Sequence, residues 1–156
     1  MAAYTTIDDP QAFFKSVLYT GDGNTGRSVT FTGATMQPDF VWIKNREATD
    51  NHLLCDTVRG TGVHLYSNDN SSQSSDAEGL KSFDSDGFTL GTSSGVNPVS
   101  TMVAWNWKAG GAPTADNSAG AGATPTAGSV KINGANLGSA LAGSIAALRL
   151  SANTTA

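Results

Sequence analysis

The sequence predicts an all-β protein, an antiparallel β-sandwich, and three observations carry that prediction. Phe40-Val41-Trp42-Ile43-Lys44-Asn45, entered through Pro38-Asp39 and left through Arg46, is made mostly of β-branched and aromatic residues, the types that favour strands. Thr101 to Lys108 repeats this character with Val103, Trp105 and Trp107 on one face, so all three tryptophans lie in two segments. Charged residues make up only 14% of the chain, against about 25% in ordinary globular domains. Gly, Ser, Thr, Asn and Asp fill the difference, as expected of many short strands joined by turns. Phe40 and Trp42 point one way along their strand and Val41 and Ile43 the other. Both sets are apolar, so this strand is expected to be central and covered on both sides.

The remaining elements follow in order. Asp9 can cap a helix and Pro10 sits at its first position; with Phe13, Phe14 and Val17 at helical spacing, a short helix is expected over residues 10–16. Leu18-Tyr19-Thr20 leaves it as a strand, the glycine- and Asx-rich stretch 21–26 turns, and Ser28 to Thr32 returns with Val29 and Phe31 on one face. After Arg46 comes a loop, a strand over His52 to Val58, a break at Arg59-Gly60-Thr61-Gly62, and a strand Val63-His64-Leu65-Tyr66. Residues 67–78 are almost wholly polar and read as a long exposed loop. Phe83 to Gly91 reads as a hairpin turning at Asp86-Gly87, a preferred turn pair. The polar loop 92–100 then leads into the second tryptophan strand. Phe31, Phe40, Trp42, Ile43, Phe88, Leu90, Val103 and Trp105 are the expected core.

Composition changes after Lys108. All twelve aromatic residues precede it, and residues 109–127 are Ala, Gly, Thr, Ser and Pro with one Asp and one Asn. Such a segment buries too little surface to offset its ordering entropy. The chain therefore divides into a sandwich domain, residues 1–111, and an extended arm, residues 112–156. Within the arm Val130 and Ile132 alternate like a strand ahead of Asn133-Gly134. Leu141, Ile145 and Leu148 fit a helical face, while Leu148-Arg149-Leu150 also fits a strand. Leu137, Leu141, Ile145, Leu148 and Leu150 have no core of their own. Burial of such side chains is worth ~1.5–3 kcal/mol each, so the arm is expected to assemble copies of the chain, or to link to a further domain.

Several function classes lose support from composition. A net charge of −4 supplies no attraction to nucleic acid or to an anionic membrane. Met1 to Thr6 lacks the basic start and apolar run of a leader, and no stretch approaches the ~20 apolar residues of a membrane helix. The chain is expected to be made in a cytosol and to stay soluble or to leave within a larger body. Cys55, the single cysteine, has apolar neighbours Leu53, Leu54 and Val58 and reads as a small buried hydrophobe.

No catalytic, cofactor-binding or metal-binding residue is assigned. Asp84-Ser85-Asp86-Gly87 resembles half of a calcium loop but lacks the further ligand positions and closing Glu. His52 and Cys55 are three apart on an expected strand, hence on opposite faces and unsuited to one zinc ion. Gly21-Asp22-Gly23-Asn24-Thr25-Gly26 has the glycine spacing of a dinucleotide fingerprint, but it precedes an expected strand, not the helix that a phosphate loop needs. Asp56 and Arg59 can pin the corner between two strands. His64, Tyr66 and the amide-rich loop 67–78 form an aromatic and polar surface suited to sugar.

Five segments carry a resemblance: Leu18 to Gly23, Pro38 to Arg46, Val58-Arg59-Gly60, Ser82 to Gly91, and Val103 to Gly111. In this order they resemble a family of repeat domains from tail-fibre-like virion proteins of marine bacteriophages, cyanophages among them. Ser151-Ala152-Asn153-Thr154-Thr155-Ala156 is similar to a phrase opening a further β-rich segment there. The resemblance implies a lectin-like or jelly-roll sandwich and a non-enzymatic virion structural protein: a fibre, a spike, or a capsid or tail appendage. An adhesin module binding a host surface glycan is the alternative. Other virion proteins are the implied partners, and a homo-oligomer, with a trimer favoured, is the implied assembly.

Overall fold

The computed structural model of the chain describes residues 9–109, 114–115, 126–129, 131–132 and 135–136. The chain divides into two units, Met1–Ala109 and Gly110–Ala156, close to the boundary expected from composition. Within the first unit nine strands run in order: β1 Phe14–Thr20, β2 Arg27–Thr30, β3 Phe40–Asn45, β4 Leu53–Asp56, β5 Val63–Tyr66, β6 Ser74–Ser75, β7 Leu80–Asp84, β8 Gly87–Leu90 and β9 Thr101–Trp107. They form a six-stranded sheet, β1-β9-β3-β4-β5-β6, and a three-stranded sheet, β2-β8-β7. Every pairing is antiparallel. The protein is an all-β sandwich, and both tryptophan strands, β3 and β9, are central in the large sheet.

Alternation sets the core. Tyr19 of β1, Val41 and Ile43 of β3, Leu53 and Cys55 of β4, and Met102 and Ala104 of β9 are buried against Val29, Leu80, Phe88 and Leu90 of the small sheet. Phe88 packs edge to face with Tyr19 and with Phe31, with ring centroids 6.1 and 6.2 Å away. Met36 and Val96 close the core from loops.

Three expectations are corrected. The helix expected over 10–16 is a 3₁₀ turn of three residues, Pro10–Ala12, although Asp9 does cap it through the Gln11 N–H. From Phe14 onward the chain is already β1, because Lys15, Val17 and Tyr19 face inward at strand spacing and seven residues pair with β9. Phe40, Trp42, Val103 and Trp105 are half-buried rather than buried. They occupy the outer face of the large sheet, which is not covered to the extent that its apolar character suggests. Finally, the hairpin of β7 and β8 turns at Ser85-Asp86, since Asp84 pairs with Gly87. Gly87, at φ 139°, instead meets the neighbouring strand: a Cβ there would lie 2.1 Å from the Val29 carbonyl oxygen.

The second unit contains two short strands, β10 Lys131–Ile132 and β11 Ala135–Asn136, paired antiparallel with Ile132 opposite Ala135. The strand expected around Ile132 is therefore present in part. The assembly residues Leu137, Leu141, Ile145, Leu148 and Leu150, and the phrase 151–156, lie outside the described residues. Among the described residues no helix is long and apolar enough to cross a membrane.

Candidate functional site

Two surfaces of the first unit combine chemistry-bearing side chains. One is the outer face of the large sheet. Register places Phe14, Trp107 and Phe40 side by side across β1, β9 and β3, with ring centroids 5.0 and 5.3 Å apart. In the next row Trp105 lies opposite Trp42, 5.6 Å between centroids and edge-on. Trp42 continues to His52 at 5.9 Å and donates its Nε1–H to His52 Nδ1 at 3.1 Å. The two alternating tryptophan strands fold this way because their other faces, Val41/Ile43 and Met102/Ala104, fit the core. The rings left outside pack tilted on one another, a favoured aromatic geometry.

The second surface is a depression of about 370 Å³ at the β4–β5 end of the sandwich, lined in part by Asp50, Asn51, His64, Tyr66, Asp76 and Ser94. His64 and Tyr66 stack edge to face at 4.9 Å. His64 is buried, and its Nε2 has no hydrogen-bond partner among the described residues. Desolvation pulls the imidazole below its ordinary pKa, while the Asp76 carboxylate acts in the opposite direction. Neutral His64, its unpartnered Nε2 enclosed, thus lies beside an aromatic ring, two carboxylates and an amide. Such a set can exchange hydrogen bonds with hydroxyl groups while the ring packs against C–H faces. Asp50 is held by Asn45 Nδ2 at 2.8 Å, and Asn51 by Asn68 Nδ2 at 2.9 Å.

The residues singled out in the sequence are distributed unequally over these surfaces. His64 and Tyr66 do meet the polar loop, which contributes Asp76; Asn68 instead caps the His52 N–H from outside the depression. Asp50 and Ser94 were not singled out, because isolated polar residues in loops carry no signal until the fold brings the loops together. His52 stands by Trp42 on the outer face and Cys55 is in the core, so the two do lie on opposite faces. Arg59 pairs with Asp56 and also donates to the Leu54 carbonyl at 3.0 Å, pinning the β4–β5 corner. Asp84 accepts from Ser82 and Thr89, each at 2.7 Å, and Asp86 from the Met36 N–H. These carboxylates serve the hairpin. The glycine-rich stretch 21–26 is clamped by fully buried Asn97, whose amide reaches Asp22, Asn24 and Gly91. Asn97 is a structural centre that sequence reasoning missed.

Fold and surfaces together define a class: an all-β sandwich of two antiparallel sheets whose larger sheet carries an aromatic outer face. Within that class the chain belongs to the family described as a domain of unknown function (DUF7483), whose match spans residues 9–145. No curated protein and no solved structure matches the chain.

Proposed function

We propose that the chain is a non-enzymatic structural module of a bacteriophage particle, a fibre, spike or capsid appendage, held among other virion proteins. The observation that carries this reading is the outer face of the large sheet. Five aromatic rings, Phe14, Phe40, Trp42, Trp105 and Trp107, lie there in adjoining rows, partly open to solvent. A contiguous apolar face of this kind favours association, and an assembly component supplies the neighbour. The five ordered motifs similar to tail-fibre-like virion proteins supply the kind of particle. The same resemblance favours a trimer as the unit from which the assembly is built.

Antibodies raised against the chain should decorate purified particles in electron micrographs. Their failure to label particles, together with absence of the chain from the particle proteome, would overturn the proposal. A second reading is favoured by the depression at His64 and Tyr66: recognition of a host surface glycan by the same module. A glycan array probed with the full chain should then show binding that Tyr66→Ala abolishes. Equal signals from both proteins would remove this reading and leave the first intact.

A further inference from the structure

β1 is an edge strand with seven residues and a regular register against β9. Its backbone alternation is fixed at both ends. The Phe13 carbonyl accepts from the Lys108 N–H at 2.9 Å, and the Gly21 N–H donates to the Ser100 carbonyl at 3.0 Å. The carbonyls of Trp107 and Thr101, opposite Phe14 and Thr20, are taken from the β3 side by the Asp39 and Arg46 N–H groups. Odd residues of β1 therefore bond β9, while the N–H and C=O groups of Phe14, Ser16 and Leu18 point outward. No other described strand pairs with them.

Soluble proteins protect such edges with proline, a bulge, a short length, lysines on the edge or an inward-pointing charge that pairing would leave unsatisfied. β1 has no proline and no register shift. Its one charged residue, Lys15, is turned inward but is already satisfied within the chain, where Nζ donates to the carbonyls of Thr32 and Ala34, so pairing of the edge would strand no unbonded charge. The edge also carries two of the large apolar side chains left exposed, Phe14 at 41% and Leu18 at 64%.

From this we infer that β1 is a homotypic docking strand: two copies of the chain join their large sheets, antiparallel, about a two-fold axis at Ser16. The strand is self-complementary in this register. Phe14 falls opposite Leu18 of the second copy, Ser16 opposite Ser16, and Leu18 opposite Phe14, so the outward groups of these three residues are all used, in about six hydrogen bonds. Centring the axis on Val17 would instead set Phe14 against Thr20, whose carbonyl already accepts from Arg27. On the outer face the Phe14–Leu18 contacts make one apolar surface from the aromatic rows of both copies. On the inner side, a groove of about 560 Å³ between β1 and residues Thr30, Phe31 and Thr32 leaves room for Val17 of the second copy. This contact is independent of the particle reading, and it doubles the copy number set by any other contact between copies.

Cross-linking of the full chain tests the register. Residues in a hydrogen-bonded antiparallel pair stand about 5.5 Å apart at Cα, within disulfide reach. The only native cysteine, Cys55, is buried, so Ser16→Cys supplies the one accessible thiol. Under mild oxidation it should form a covalent dimer about tenfold faster than Ser28→Cys, an exposed control on β2. Leu18→Lys should lower the solution mass by a factor of about two, while Val99→Lys, at a position 82% exposed, should leave it unchanged. Cross-linking no faster at residue 16 than at residue 28 overturns the inference. So does an odd-numbered wild-type assembly, or an unchanged mass for a Leu18→Lys protein that keeps its near-UV circular dichroism.

Discussion

Single side chains govern the response of this sandwich to pH and to polar truncation. Burial holds the His64 imidazole below the usual value of 6.5, so the unfolded chain binds its proton more readily than the folded one. Stability contributed by keeping His64 neutral is present above pH 6.5 and is lost as pH falls through the lower, folded value. Asp22, Glu47 and Glu78 are also held below their ordinary carboxylate values, first by hydrogen bonds from Asn24, Thr101 and Lys81 respectively. Their contribution is lost at more acidic pH. Urea midpoints measured across pH should therefore fall in two stages, and His64→Gln should flatten only the upper one. Asn97→Ala should cost about 3 kcal/mol in the same assay, because several groups of the 21–26 loop lose their partner inside the fold. Burial pushes the Cys55 thiol up to about 12. It should resist alkylation at pH 8 in the native protein and react at once in denaturant.

At the scale of elements, the two faces of β3 and β9 differ in what they cost to disturb. Phe88 of β8 is fully buried between the sheets, and Phe88→Ala should destabilise by about 3–5 kcal/mol. Trp42→Ala on the half-open outer face should cost less, since part of its ring already meets solvent. Chemical denaturation of both variants, followed by circular dichroism, checks this order. Gly87→Ala should behave like a core change despite its small size. The added Cβ would meet the Val29 carbonyl at 2.1 Å, so β8 would have to move away from β2.

For the whole molecule, every residue of the core cluster lies between Tyr19 and Ala104. A chain ending at Ala109 should therefore keep the β-type far-UV spectrum and a cooperative thermal transition. Loss of cooperativity on truncation would show that residues 110–156 contribute to the core.

The fold class was legible in the sequence because strand alternation and turn chemistry are local. β3, β5 and β9, the corner at Asp56–Arg59 and the buried Cys55 all follow from residues within a few positions of one another. The turn at Ser85-Asp86 misled because Gly87 is needed for a neighbour 58 positions upstream, at Val29, and not for the turn itself. Phe13, Phe14 and Val17 fit a helical period as well as the start of β1, and pairing with β9, about ninety residues away, decides between them. The two apolar faces of β3 looked alike in sequence, and only the packing of the small sheet against one of them made the other an outer surface. The depression at His64 draws on loops that share no local pattern, as does the Asn97 clamp. Composition and periodicity determined what this chain builds; the choice of which apolar face to bury, and which polar residues to gather, was made by contacts between distant segments.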